Sequence, residues 1–222
     1  MDAQIQTWRA LSAAAVSDAL DRLGIIGQCH GIRPLDHRFR LVGRAFTVRY
    51  TPVGAARGTV GDYIEDVGPG EVVVLDNAGR LDCTVWGDIL TEVAHMRSLA
   101  GTVIHGACRD MSRSLELGYP IFSRGVYMRT GKDRVQAEAY NIAVALGEVR
   151  VEPGDLVLGD ADGVIIVPRA REHEVLESAL SIEQKEKQIR AAIAAGRPLA
   201  EARRSAGYHE LQRRRDRDPD ES

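Results

Sequence analysis

Three residues in two short stretches could do chemistry together: Asp88 in "WGDIL", and Arg109 and Asp110 in "HGACRD". An arginine presents a planar fork that grips a carboxylate or phosphate through two parallel hydrogen bonds. An aspartate beside it offers a hard oxygen ligand of the kind Mg2+ or Mn2+ accepts, with water and substrate completing the shell. Asp88 stands where a helix is predicted to begin. The free N–H groups of Asp88, Ile89, Leu90 and Thr91 would face outward there, a ready site for an anion. Asp88 itself could cap the helix, hold water at a metal or move protons. Each residue also has a plainer reading. An Arg-Asp pair at a strand end is more often a surface ion pair, and an Asp at a helix start is usually a cap. His105 on an apolar strand is more often a hydrogen-bonded core histidine, and Cys108 is small filler. Glu183 and Glu186 read as a solvated helix face.

The elements around these residues follow from hydrophobic period and turn residues. Leu11, Ala15, Val16, Ala19, Leu20 and Leu23 predict a helix over 9–23, ended by Gly24. "RAFTVRY" alternates like a strand, and residues 71–76 form a buried strand after "GPG". "WGDILTEVAHMRSLAG" predicts a helix with Asp88 as its N-cap and Gly101 closing it. "TVIHGA" is the next strand, followed by a short helix over 111–117 and a strand at "PIFSRG". Strand-and-turn punctuation continues to a long helix at 169–195. Residues 1–197 then form one domain, and the polar tail 198–222 is expected to be frayed or disordered. If the strands before Asp88 and Arg109 are parallel neighbours, both features open on one crevice at the strands' carboxyl ends. "PGEVVVLDNAG" echoes "PGDLVLGDADG". Pro-Gly-acid is a common turn before a buried strand, and a duplicated half is the alternative.

Composition narrows the classes. The chain has 222 residues, 44% hydrophobic and 27% charged, with a net charge of −3. That gives no basic field for nucleic acid, and no run reaches the ~18 apolar residues of a membrane span. The beginning lacks the charged and apolar regions of a signal peptide. Cys29, Cys83 and Cys108 form an odd set without CxxC spacing, which suits reduced thiols and a cytoplasmic location. Dinucleotide, Walker A, HExxH and GxSxG motifs are missing, which disfavours the chemistry each supports.

Taken together, "GDYIEDVGPGEVVVLDN", "VWGDILTEVAHMRSLAGTVIHGACRD", "YPIFSRG" and "VEPGDLVLGDADGVIIVPR" resemble the RraA-like family over roughly residues 10–195. Its members include metal-dependent 4-hydroxy-4-methyl-2-oxoglutarate / 4-carboxy-4-hydroxy-2-oxoadipate aldolases. The resemblance implies an α/β fold, a swivelling β/β/α sandwich with a mixed sheet and a C-terminal helix. It implies homotrimers or dimers of trimers with interfacial active sites. By position, Asp110 matches the aspartate that binds Mg2+ or Mn2+, and Arg109 the arginine that grips the 2-oxo acid. Asp88 matches the acid that orders water at the metal. Gly87, Ile89 and Leu90 belong to the helix start whose amides hold the substrate carboxylate. Glu186 is the nearest match to a glutamate that the neighbouring subunit contributes. The implied activity is cleavage of a 4-hydroxy-2-oxo di- or tricarboxylic acid to pyruvate and a second oxo acid, with oxaloacetate decarboxylation as a side activity. No Schiff-base lysine is needed, and Lys132, Lys185 and Lys187 read as surface residues.

Two departures bear on the substrate. His105 stands where the family usually has an aspartate, which is expected to change the charge near the metal. "VYMRTGKDRVQAEAYN" differs from the family's Pro- and Gly-rich sequence, and Arg124 and Arg129 are candidates to meet a second carboxylate. A specialised lyase for another oxo acid is therefore one alternative. A second is a non-catalytic regulator of the kind that inhibits RNase E. Those regulators lack the aspartate after the arginine, whereas Asp110 is present here. A third, a menaquinone methyltransferase, is disfavoured because no glycine-rich site for S-adenosylmethionine is present.

Overall fold

The buried runs predicted at 71–76, "TVIHGA" and "PIFSRG" lie side by side as parallel strands β3 (Val72–Asp76), β4 (Gly101–Cys108) and β5 (Ile121–Val126). The structure, a computed structural model, describes residues 3–55 and 58–208. The other strands are β1 (Arg33–Pro34), β2 (Leu41–Pro52), β6 (Val135–Tyr140), β7 (Val144–Leu146), β8 (Val149–Val151), β9 (Leu156–Asp160) and β10 (Gly163–Val167). The α-helices are α1 (Ala3–Arg9), α2 (Ala13–Leu23), α3 (Asp88–Met96), α4 (Met111–Leu117), α5 (Glu172–Ala194) and α6 (Leu199–Ser205).

The main sheet is mixed, in the order β1-β5-β4-β3-β2-β9-β10. Long β2 serves three partners in turn, β9 through residues 41–44, β3 through 45–49 and β6 through 48–52. The sheet curls until its edges almost meet. Cys29 N–H donates to Val164 O, and Ile166 N–H to Gly27 O; four residues later the same segment becomes β1 and pairs with β5. The expected α/β fold with a mixed sheet is present, arranged as a nearly closed barrel with a C-terminal helix.

Strand alternation sorts the core. Val72, Val74, Val103 and Phe122 point into the barrel with Val157 and Ile166. Val73, Leu75 and Ile104 point outward to a cluster with Trp86, Ala94 and Tyr119, beneath α3 and α4. On the far side, Leu156, Leu158 and Val167 pack against Val16, Leu20, Val175 and Ile182 of α2 and α5.

Several boundaries differ from the sequence reading. The helix expected over 9–23 is broken, because Ser12 caps α2 by accepting the Ala15 N–H; Gly24, left-handed at φ 66, ends it as expected. Helix α3 stops at Arg97, and Gly101 opens β4 instead, where a Cβ would come within 2.8 Å of Pro120 O. The tail expected to fray from 198 forms α6, with Ala202 buried; residues 209–222 lie outside the described ones. The echoed segments take different neighbours: β3 runs parallel to β2, whereas β9 runs antiparallel to it and forms a hairpin with β10. Among the described residues no helix is long and apolar enough to cross a membrane.

Candidate active site

Strand β4 leaves the sheet at Arg109, whose N–H donates to Trp86 O at 3.0 Å. Thr84 bridges both Ala107 and Thr130, so the segment before α3 is stitched between the end of β4 and the 130 loop. Asp110 then turns the chain into α4 with left-handed backbone, φ 57 and ψ 37. That conformation is costly for a residue with a Cβ, and aspartate is among the few that tolerate it. The turn swings its carboxylate back toward α3. There Asp110 Oδ2 accepts the Asp88 N–H at 3.3 Å and lies 3.2 Å from Arg109 Nε.

Gly87 makes this approach possible. A Cβ on it would lie 2.7 Å from Asp110 Oδ2 and 3.2 Å from Arg109 Nε. Gly87 is the N-cap of α3, and Asp88, expected as the cap, is instead the first helical residue. The Asp88 carboxylate folds onto its neighbour, with Oδ1 accepting the Ile89 N–H at 2.8 Å. Of the two amides expected to hold a substrate carboxylate, Leu90 N–H stays unpaired among the described residues, while Ile89 N–H must exchange Asp88 for substrate. Beneath them Trp86 Nε1–H donates to Thr91 Oγ1, and the Thr91 hydroxyl donates to Gly87 O, each at 2.9 Å. The Trp86 ring lies parallel to that of Tyr119, 6.3 Å between centroids, and packs the helix start onto the core.

Gly87, Asp88, Ile89, Leu90 and Arg109 line one cleft of 870 Å3. The structure thus brings together five of the residues singled out from sequence, with Asp110 hydrogen-bonded to the group. Arg109 and Asp110 are an ion pair, as the plainer reading held, but one set at a cleft and more than a third exposed on each side. Lys132, read as a surface residue, is exposed at this cleft's rim. No local motif marks it; pairing of distant Thr84 with Thr130 brings it there.

Among the described residues no group of three or more acidic, His or Cys side chains could hold a metal. Asp110 offers one carboxylate, 39% exposed, whose Oδ1 accepts no hydrogen bond among the described residues. A single hard oxygen open to solvent fits Mg2+ or Mn2+, which keep most of their shell as water and substrate oxygens.

Four other residues singled out from sequence are not among this cleft's lining residues. His105 faces the barrel interior with Val103, where its Nδ1 lies 3.3 Å from Asp76 Oδ1. It is a hydrogen-bonded histidine on the opposite face from α3, so its change of charge falls on Asp76. Burial pushes the Asp76 carboxyl up, but hydrogen bonds from His105, Ala78 N–H and Ala145 N–H outweigh it and hold the group below its ordinary 3.8. Arg124 and Arg129 are not among the cleft's lining residues, and Arg124 Nη1 lies by Gly79 and His105 instead. Glu186, matched to a residue that a neighbouring subunit contributes, does not line the cleft of its own chain; it sits on a helix packed against α2 and pairs with Arg190 at 3.1 Å.

Known proteins resemble this chain in sequence and in fold. DlpA of Legionella pneumophila is 38% identical over 202 residues, 90% of this chain, which spans only 33% of DlpA. A Halalkalibacterium halodurans protein named "Putative 4-hydroxy-4-methyl-2-oxoglutarate aldolase" is 35% identical, over 79% of this chain and 81% of its own. The crystal structure of an uncharacterized protein from Pseudomonas syringae pv. tomato superposes with a TM-score of 0.86 at 40% identity, covering 91% of this chain and 98% of that one. The RraA-like family model, described as Aldolase/RraA, matches residues 13–166, and the chain belongs to that family.

Proposed function

We propose that this protein is a divalent-metal-dependent carbon–carbon lyase that releases pyruvate from a 4-hydroxy-2-oxo acid. The observation that carries the reading is the Asp110 carboxylate, held beside Arg109 and against the start of α3, both of which line the cleft. Mg2+ or Mn2+ at Asp110 would supply Lewis acidity to the 2-oxo group.

The chain's own residues do the rest. Leu90 N–H, joined by Ile89 N–H once Asp88 releases it, binds the substrate carboxylate at the positive end of α3. Arg109 donates to the 2-oxo oxygen and stabilises the negative charge that grows there as the C3–C4 bond breaks. Asp88, freed from Ile89, takes the 4-hydroxyl proton directly or through a water, and a carbonyl forms at C4. A proton then returns to C3 of the enolate, and pyruvate leaves. Oxaloacetate loses CO2 through the same enolate, so decarboxylation follows from the same residues. A homotrimer or dimer of trimers, with Glu186 reaching a neighbouring subunit's cleft, belongs to this proposal, as does a cytoplasmic location.

The test is pyruvate formation from oxaloacetate and from 4-hydroxy-4-methyl-2-oxoglutarate, with Mg2+ or Mn2+, with EDTA, and with Asp110→Ala. Formation that needs metal and vanishes in the variant supports the lyase. No turnover of either compound by folded, metal-supplied protein sinks it. The RNase E-inhibitor alternative gains nothing from the site, because Asp110 is what such regulators lack.

A further inference from the structure

The 2-oxo acid head needs only the Arg109–Leu90 end of the cleft. At 870 Å3 the cleft has the size of a pocket for a much larger molecule than pyruvate. The rest of its wall mixes polar residues, Thr59, Thr84 and Thr130 among them, with a group of apolar side chains. Val60, Leu90 and Val93 pack on the core beneath them, yet each stays partly exposed to the cleft. Buried Ile64 stands among them, and Ile89, 75% exposed, stands at the mouth. Apolar side chains left wet inside a concave wall are what an apolar ligand dehydrates on binding.

The charges at that end point the same way. Asp62 and Glu65, close in sequence to Val60, are exposed lining residues, and Asp133 is a further exposed acid beside the cation Lys132. Arg124 and Arg129, the arginines available to meet a second carboxylate, do not line the cleft. A carboxylate seated against Val60 and Val93 would lose its water and face two acids.

We propose that the substrate is a 4-hydroxy-2-oxo acid whose C4 carries an uncharged alkyl or aryl tail, seated against Val60, Leu90 and Val93. This rests on the 2-oxo acid reading of the Arg109 end. In cleavage the C3–C4 bond breaks, the 4-hydroxyl loses its proton as C4 becomes a carbonyl, and C3 gains one. The products are pyruvate and an aliphatic or aromatic aldehyde or ketone.

Binding tests the tail apart from turnover. Calorimetric titration with Mg2+ present would compare pyruvate, 2-oxoglutarate and 2-oxoheptanoate on the whole protein. The alkyl acid should bind roughly tenfold or more tighter than 2-oxoglutarate. Val93→Ser should shrink that preference several-fold. The double variant Asp62→Lys, Glu65→Lys, at two exposed positions, should raise 2-oxoglutarate affinity at least several-fold. Equal affinities, as when a second copy of the chain covers the wall, or a preference for 2-oxoglutarate, overturn the tail proposal alone. Failure of all three acids to bind overturns the 2-oxo acid reading and the tail with it.

Discussion

Gly87 is bare because two charged groups already occupy the space its side chain would take. Alanine there would drive a methyl into Asp110 Oδ2 and Arg109 Nε. The nearest atoms are flexible side-chain ends, so the fold should tolerate the change while the pair is pushed apart. A displacement of about 1 Å at a reacting group costs on the order of 100-fold in rate. Gly87→Ala should therefore lower kcat/KM for oxaloacetate by roughly that factor, with a thermal midpoint close to wild type. A large drop in midpoint with full activity per folded molecule would put Gly87's role in folding alone. Arg109→Lys keeps the charge but loses the fork, and Arg109 Nε is the atom that faces Asp110. Its kcat/KM should fall about 100-fold or more. Near-wild-type kcat/KM in that variant would mean that charge alone suffices.

Helix α5 is tied to the sheet by one buried network, and the sequence does not announce it. Glu172 is 5% exposed, accepts Trp8 Nε1–H at 3.1 Å, and pairs with the Arg44 guanidinium through both oxygens. These residues come from α5, α1 and β2, far apart in the chain. Glu172→Ala removes the carboxylate from beside a partly buried arginine and a buried indole N–H, and should cost about 3 kcal/mol in urea denaturation. A loss near zero would show that water replaces the carboxylate freely. The same sequence distance separates what was legible from what was not. Gly24, the buried run at 72–76 and the turn into Met111–Leu117 could be read because caps and periodicity are local signals. The Asp88–Arg109–Asp110 grouping could be read because consecutive strand–helix units place their ends together. Lys132 in the cleft and the pairing of His105 with Asp76 could not. Both depend on which strands become neighbours and on which face of β4 turns inward.

The barrel as a whole responds to acid and to its closure at different places. Asp76, His105 and the 145 amide join β3, β4 and the β7–β8 hairpin. The folded Asp76 carboxyl titrates below its unfolded value of 3.8. Its contribution is therefore full above that value and is lost as pH falls through it toward the folded one. Asp76→Asn should lower the urea midpoint more at about pH 6 than at about pH 3; an equal loss at both would remove Asp76 from the acid response. Closure rests on Gly27, where a Cβ would lie 2.2 Å from the backbone oxygen of Ile166 and 2.7 Å from Leu20 Cδ1. Backbone cannot swing aside as a side-chain end can, so Gly27→Ala must part the segment from β10 or strain both, at about 2–3 kcal/mol. The parallel strands that carry Arg109 and Asp110 keep their own ladders when this seam opens. The variant should therefore keep its activity per folded molecule, while the Cys29 and Ile166 amides exchange with solvent faster than those of β3 and β4. Exchange raised equally in all four places would mean that the barrel opens only as one unit, and that its seam has no stability of its own.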